Sequence, residues 1–317
     1  MSVRARPRPV GLVALVALAA ATMLSGGTGH ADPGPRHESL TVYSAAMGHD
    51  IHLDVLLPPR PRASAVLVLL DGADAANDSG NRTSDWITKT DAAQWFSDKN
   101  ITVALPVGGR GSYYTDWQRP DPVLGVNRWE TFLTEELPGA MVANYAVDTT
   151  RTAIAGTSMG GHAALTLAAR HPGEYRSVAA FSSCPSTADP RAQQSIRLTV
   201  ASRGGNPDLM WGPSDDPQWR DHDPLLLAEN LRGTDLLITV GAGRPDPRDS
   251  PGDTFGGAPL EWGANMCTRE FEGRLRELGI PATFAYRPTG LHAWPSWETD
   301  LHNAWPQLAD SLDIPDS

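Results

Sequence analysis

The sequence predicts an α/β protein with a mostly parallel sheet of about eight strands and helices on both faces. Three observations lead there. Short β-branched and apolar runs alternate with helical or irregular segments along most of the chain. Nearly every run ends in Gly, Pro, Asp or Ser, the turn chemistry expected where strands of a parallel sheet stop and ligands bind. One run passes through a glycine-flanked serine straight into an Ala-rich helical stretch.

The elements follow in order. Arg4, Arg6 and Arg8 precede an apolar run over residues 10–24, and small residues lead to Gly29-His30-Ala31. This is the layout of a secretory signal peptide cleaved before Asp32. The run is too short for the roughly 20 residues that span a bilayer. Residues 32–317 are then expected to form a single secreted catalytic domain, without a transmembrane helix. The first strand pair is predicted at 40–44 and 49–57. The second alternates, with Ile51, Leu53, Val55 and Leu57 on one side and His52 and Asp54 on the other, as in a half-buried antiparallel edge. Fully buried strands are predicted at 65–70, 101–105, 152–155, 177–181, 236–240 and 283–286. Residues 187–235, rich in Gly, Pro, Asp and Trp, read as an excursion over the strand ends that contributes to a substrate cleft.

The chemistry centres on Gly156-Thr157-Ser158-Met159-Gly160-Gly161, set between the strand at 152–155 and the helical stretch at 162–170. Gly-x-Ser-x-Gly has meaning in that setting: a sharp strand-to-helix turn lifts the serine hydroxyl to a helix N-terminus, where developing negative charge is favoured. Together with the strand count, it points to the α/β-hydrolase fold. A serine nucleophile needs a base, and the base an orienting carboxylate, in the chain order Ser, Asp/Glu, His. Of the later histidines, His222 falls in the Asp-rich excursion and is expected to be solvated. His302 falls on a C-terminal helix with a surface role. His292 lies just past the last strand, where a loop returns to the strand ends, and is the candidate base. The acid is expected in the loop after the seventh strand, from Asp246, Asp249, Asp253 or Glu261. The backbone N–H of Met159, and one from the loop beginning Asp71-Gly72-Ala73, are placed to form an oxyanion hole.

Charge and composition exclude other classes. Residues 1–31 carry three arginines and no acidic residue, so their removal takes the net charge from −11 to −14. Such a surface does not suit nucleic acid, whose phosphates need clustered cations. Neither a zinc motif nor an EF-hand occurs, so no metal and no cofactor is expected. Cys184 and Cys267 are too few for a disulfide framework, and the sequence allows one bridge or two free thiols.

These segments together resemble the antigen 85 family, secreted mycolyltransferases that move mycolic acids between trehalose-bound lipids. The resemblance runs through Leu69-Leu70-Asp71-Gly72, Leu105-Pro106-Val107-Gly108-Gly109, Ser112-Tyr113-Tyr114-Thr115-Asp116-Trp117 and Trp129-Glu130-Thr131-Phe132-Leu133. It continues through the serine motif, Met210-Trp211-Gly212-Pro213 and Gly290-Leu291-His292-Ala293-Trp294-Pro295-Ser296-Trp297. It implies that the acid is Glu261, in Leu260-Glu261, with Asp246 as runner-up, and that Ala73 supplies the second oxyanion donor. Asp71, Asp74 and Trp294 would lie at the substrate, with an acyl-ester lipid as donor and a sugar or envelope component as acceptor. The sequence also departs from the family. Asp74 stands where the family holds trehalose with an arginine, Lys89 where it has an asparagine, and Val240 where it has a cysteine near the active site. The stretch 75–84 is longer than its counterpart. The resemblance therefore implies a serine acyltransferase, while the rewritten rim keeps a secreted carboxylesterase, with water as acceptor, as the alternative.

Overall fold

The computed structural model describes residues 36–59, 63–75 and 82–315. The signal-peptide segment, and most of the stretch that lengthens the loop after Ala75, lie outside the described residues. Eight strands form one sheet in the order β1-β2-β4-β3-β5-β6-β7-β8. They are β1 (Arg36–Ser44), β2 (His49–Leu57), β3 (Ser64–Leu70), β4 (Ile101–Val107), β5 (Val147–Thr157), β6 (Ser177–Phe181), β7 (Asp235–Val240) and β8 (Thr283–Tyr286). The β1–β2 and β2–β4 pairs are antiparallel; β4, β3, β5, β6, β7 and β8 run parallel. The entry pair followed by six parallel strands is the predicted count.

Side-chain alternation gives the sheet two apolar faces. From β3, Val66, Val68 and Leu70 enter one core, and Ala65, Leu67 and Leu69 enter the other. The helices that cover them are α1 (Asp85–Lys89), α2 (Met159–Arg170), α3 (Pro190–Ser202), α4 (Pro251–Leu278) and α5 (Trp294–Ser311). Helix α2 packs in the first core, with Phe271 and Leu275 of α4. Trp86 of α1 and Leu301, Ala304 and Leu308 of α5 pack in the second. No helix among the described residues is long and apolar enough to cross a membrane.

The structure corrects three expectations. Strand β2 is not an edge, because β1 pairs along its outer side. Its Asp54 is buried, accepting hydrogen bonds from the Ser84 N–H (2.7 Å) and pairing with His37 Nε2 (2.7 Å). Strand β8, expected to be fully buried, is instead the edge opposite β1 and alternates between exposed and half-buried residues. His222 is buried rather than solvated: its ring stacks on Trp211 at 4.9 Å, and Nδ1 bonds the Gln218 carbonyl at 2.8 Å. That packing is possible because the excursion is folded down onto α2 and is no solvated loop. His302 sits as expected on the C-terminal helix, where it pairs with Asp91 at 2.7 Å.

Cys184 and Cys267 form a disulfide. It ties the segment following β6 to α4 across a sequence separation of 83 residues. A cross-link over so long a loop removes much freedom from the unfolded chain. Replacing both cysteines by serine should lower the unfolding free energy by about 2–5 kcal/mol. Urea titration of the double variant checks this, and an unchanged midpoint would show the bridge to be dispensable.

Candidate active site

Ser158 stands between β5 and α2 with φ +54° and ψ −116°, a strained conformation for a residue with a side chain. The glycines around it explain why the sequence turns there. A Cβ on Gly156 would come within 2.5 Å of the Gly160 carbonyl carbon, and one on Gly160 within 2.8 Å of Leu70 O. Both contacts are shorter than real Cβ atoms tolerate, so the turn closes only with glycine at these positions. The Ser158 N–H donates to Phe181 O at 2.8 Å, which fixes the turn to β6.

The structure brings Ser158, His292 and Glu261 into one chain of contacts. His292 Nε2 lies 2.7 Å from Ser158 Oγ, and His292 Nδ1 lies 3.0 Å from Glu261 Oε2. The loop after β8 carries the imidazole. Its backbone N–H donates to Gly257 O of α4 at 3.3 Å, and Trp297 meets its ring edge-on at 5.1 Å. Glu261 lies within α4, not in the loop where sequence order alone had put the acid. It is fully buried. Its Oε1 accepts from the Gly241 N–H (2.5 Å), the Ser182 hydroxyl (2.8 Å) and Arg287 Nη2 (3.2 Å). Burial pushes the carboxyl up, but His292, the Gly241 N–H and the Ser182 hydroxyl outweigh it and hold the group below its ordinary range. Glu261 is therefore an anion at neutral pH, with Oε2 reserved for the imidazole.

The other candidate acids are engaged elsewhere. Asp246 pairs with Arg248 at 3.0 Å and accepts its backbone N–H. Asp249 Oδ2 accepts the Asp246 N–H at 2.7 Å. Asp253 forms a reciprocal capping box with Ser250 at the start of α4.

The loop after β3 approaches the serine closely, since a Cβ on Gly72 would lie 3.9 Å from Ser158 Cβ. Ala73 and Met159 both line the cavity at Ser158. Asp71 is corrected as a substrate contact. It is fully buried, and its carboxylate accepts from Ser84 Oγ (2.9 Å), Asp85 N (3.2 Å) and Trp86 N (3.3 Å). Burial, with repulsion from Asp85, pushes its carboxyl up to about 7. Asp71 thus anchors the loop to the N-terminus of α1, where Trp86 donates to Leu70 O at 2.9 Å.

Asp74 does lie on the cavity wall, but paired: Arg203 Nε, at the end of α3, is 2.9 Å from its carboxylate. Trp294 is also on the wall, edge-on to Trp86 (5.2 Å) and Trp297 (5.0 Å), with Lys89 Nζ 5.2 Å from its ring. The cavity above Ser158 measures about 1140 Å³. The excursion helix α3 forms one wall through Ile196 and Leu198, and α4 forms another through Leu260, Trp262 and Met266. Leu198, Leu260, Trp262 and Met266 are exposed, so the cavity has an apolar lip. Among the described residues no His/Cys/Asp/Glu group could hold a metal.

Sequence reasoning missed Ser182, Gly241, Arg287 and Arg203. Ser182 and Gly241 were signalled only by their places at the ends of β6 and β7; Arg203 and Arg287 gave no local signal.

Comparison with known proteins identifies the family. Residues 44–308 match the family model described as "Putative esterase". The diacylglycerol acyltransferase/mycolyltransferase Ag85B of Mycobacterium intracellulare is 32% identical over 312 residues, covering 96% of this chain and 93% of that protein. Ag85A of Mycobacterium ulcerans is 33% identical, covering 96% and 91%. Among solved structures, Mycobacterium tuberculosis MPT51 (FbpC1) superposes with a TM-score of 0.75 at 27% identity, covering 87% of this chain and 99% of that one. An S-formylglutathione hydrolase from Agrobacterium tumefaciens shares the fold, with a TM-score of 0.68 at 19% identity and 88% and 96% coverage. With its eight-stranded sheet and its serine at the strand-to-helix turn, the chain belongs to the antigen 85 family of α/β-hydrolase-fold esterases.

Proposed function

We propose that the protein is a serine acyltransferase that moves a long acyl group, through an acyl-enzyme on Ser158, to a sugar or cell-envelope acceptor. The observation that carries this is the unbroken hydrogen-bond chain from Ser158 through His292 to buried Glu261, opening into a large cavity with an apolar lip.

In the first half-reaction Ser158 Oγ attacks the ester carbonyl as its proton passes to His292 Nε2. The oxygen of the tetrahedral intermediate is held by the backbone N–H groups of Met159 and Ala73. Collapse expels the donor's alcohol, which takes the proton back from His292, and leaves the acyl group on the serine. In the second half an acceptor hydroxyl gives its proton to His292, attacks the acyl-enzyme, and releases Ser158 with its proton restored. Glu261 stabilises the imidazolium formed in each half and keeps the tautomer whose Nε2 can accept. The cavity, slightly larger than usual small-ligand pockets of roughly 300–1,000 Å³, has room for an acyl chain beside the acceptor.

One observation favours a second reading, a carboxylesterase with water as acceptor. At the position where the resembled family has a trehalose-binding arginine, this chain has Asp74, already paired with Arg203. Incubation with a long-chain nitrophenyl ester and trehalose separates the two. Transfer predicts an acyl-trehalose product, whereas free acid alone would leave the esterase reading. Asp74→Arg should raise transfer to trehalose, and it also removes the partner of Arg203. Unchanged sugar preference in that variant would show that this rim position does not choose the acceptor.

A further inference from the structure

The donor set of Glu261 includes one group that the catalytic chain does not use. Arg287, at the start of the loop that carries His292, places Nη2 3.2 Å from Glu261 Oε1 and Nε 3.0 Å from Asp300 Oδ1. Its side chain is only 17% exposed, and Asp300, on α5, is buried. The loop is built around this guanidinium. Gly290 has φ +108°, and a Cβ there would overlap Arg287 Nη1 and come within 2.9 Å of Ser296 Oγ. A Cβ on Gly241 would meet Gly290 O at 2.6 Å and Glu261 Oε1 at 3.0 Å. Glycines therefore clear the space in which the arginine reaches the acid. The Arg287 N–H also donates to Val240 O at 2.9 Å, fixing the residue to the end of β7.

We propose that Arg287, held by Asp300, is a positioning residue for the catalytic acid and that its charge sets the pH at which His292 becomes available as a base. The proposal rests on the triad reading above. Geometrically, Arg287 completes the donors around Oε1, so that Oε2 is the oxygen left for His292. Electrostatically, a fixed cation on the far oxygen of Glu261 weakens the attraction between that carboxylate and an imidazolium. Loss of that cation would strengthen the attraction and favour the imidazolium.

The charged groups around Arg287 are few. Glu261 faces it from α4 and Asp300 from α5, while Asp246, in the segment after β7, acts on it at longer range and is itself neutralised by Arg248. Thr239 of β7 and Glu261 are the other groups that act on Asp300. Burial pushes the Asp300 carboxyl up to about 7, against the attraction of Arg287.

The test compares kcat/KM against pH for the mature enzyme and its Arg287→Met, Arg287→Lys and Ser158→Ala variants, with a nitrophenyl ester as substrate. The acid limb of this profile reports the protonation of the essential base in the free enzyme. Removing the cation favours the imidazolium, so Arg287→Met should raise the limb's midpoint by about 0.5–1 pH unit. It should also lower kcat more than it raises KM. Arg287→Lys keeps the charge and is expected to stay close to the parent midpoint. A variant that merely loosened the fold would lose activity at all pH values without moving the midpoint, and circular dichroism identifies it. An unmoved midpoint in a folded Arg287→Met enzyme, or an equal shift in Arg287→Lys, overturns the proposal. Ser158→Ala separates this from failure of the underlying reading: if that variant retains full turnover, the triad assignment falls, and if it is inactive while the midpoint is unmoved, only the role of Arg287 falls.

Discussion

Ser158→Ala is expected to reduce kcat/KM toward a nitrophenyl ester by about 10⁵–10⁶-fold, with the protein still folded. The loss should be large because, in the proposed mechanism, the serine oxygen forms the covalent intermediate. It should not be total, because the backbone N–H groups of Met159 and Ala73, which we propose as oxyanion donors, would remain to stabilise an oxyanion formed by water attack. Folding should survive for local reasons. The Ser158 side chain makes no capping hydrogen bond to α2, and alanine keeps the Cβ already accommodated at φ +54°. The turn is held by its N–H to Phe181 O and by the neighbouring glycines, none of which the substitution touches. Steady-state rates with matched circular dichroism spectra check this. Unchanged turnover would move the nucleophile elsewhere in the cavity.

Ser158 and His292, which the structure brings within 2.7 Å of each other, were legible as candidates because their signals are local. A glycine-flanked serine between a buried strand and a helix, and a histidine just after the last strand, are each fixed by a few neighbouring residues and by chain order. The sheet was legible for the same reason: strands β2, β6 and β8 stand at the predicted residues, and the others extend a few residues past the predicted runs. What escaped depends on distant partners. Asp54 reads as a solvent-facing residue of an alternating strand until Ser84 and His37 close over it. His222 reads as part of a polar loop until Trp211 stacks on it.

Helix α4 shows how local signals can also mislead. Ser250, Pro251 and Asp253 form a proper helix start, yet Gly252, Gly256, Gly257 and Pro259 give the segment the composition of a loop. Pro259 brings no N–H to the helix, and glycine adds backbone entropy, so propensity argued against a helix there. Tertiary packing overrides it. Gly257 lets the His292 loop lie against the helix, and a Cβ at that position would be 3.2 Å from His292 N. The residues that weaken the helix are those that let it meet the catalytic loop. Sequence order placed the acid after β7; the resemblance selected Glu261 from four carboxylates, and the structure puts that one beside His292. Arg287 and Asp300 could not be paired from sequence, because one begins a loop, the other lies in a helix, and only the fold brings Asp300 to the guanidinium that reaches Glu261.

Glu261→Gln is the second large effect, with kcat expected to fall about 10³–10⁴-fold while Asp246→Asn changes it little. Glutamine has nearly the shape of glutamate, so the loss would come from proton bookkeeping. Three donors converge on Oε1: the Gly241 N–H, the Ser182 hydroxyl and Arg287 Nη2. The amide must therefore turn its carbonyl oxygen to that side, leaving its NH₂ facing His292 Nδ1. An NH₂ donor requires Nδ1 to be the acceptor, which places the imidazole's proton on Nε2, the nitrogen 2.7 Å from Ser158 Oγ. An imidazole in that tautomer cannot take the serine's proton, and the carboxylate that would stabilise an imidazolium is gone. Turning the amide the other way would set its NH₂ against three donors, one of them a guanidinium, inside a fully buried pocket. The first orientation disables the base, and the second is too costly in this buried pocket to compete with it. Asp246, occupied by Arg248 and away from the imidazole, has no such role to lose. Rates of the two variants measured side by side decide the matter: a larger loss in Asp246→Asn would transfer the acid's role to that residue.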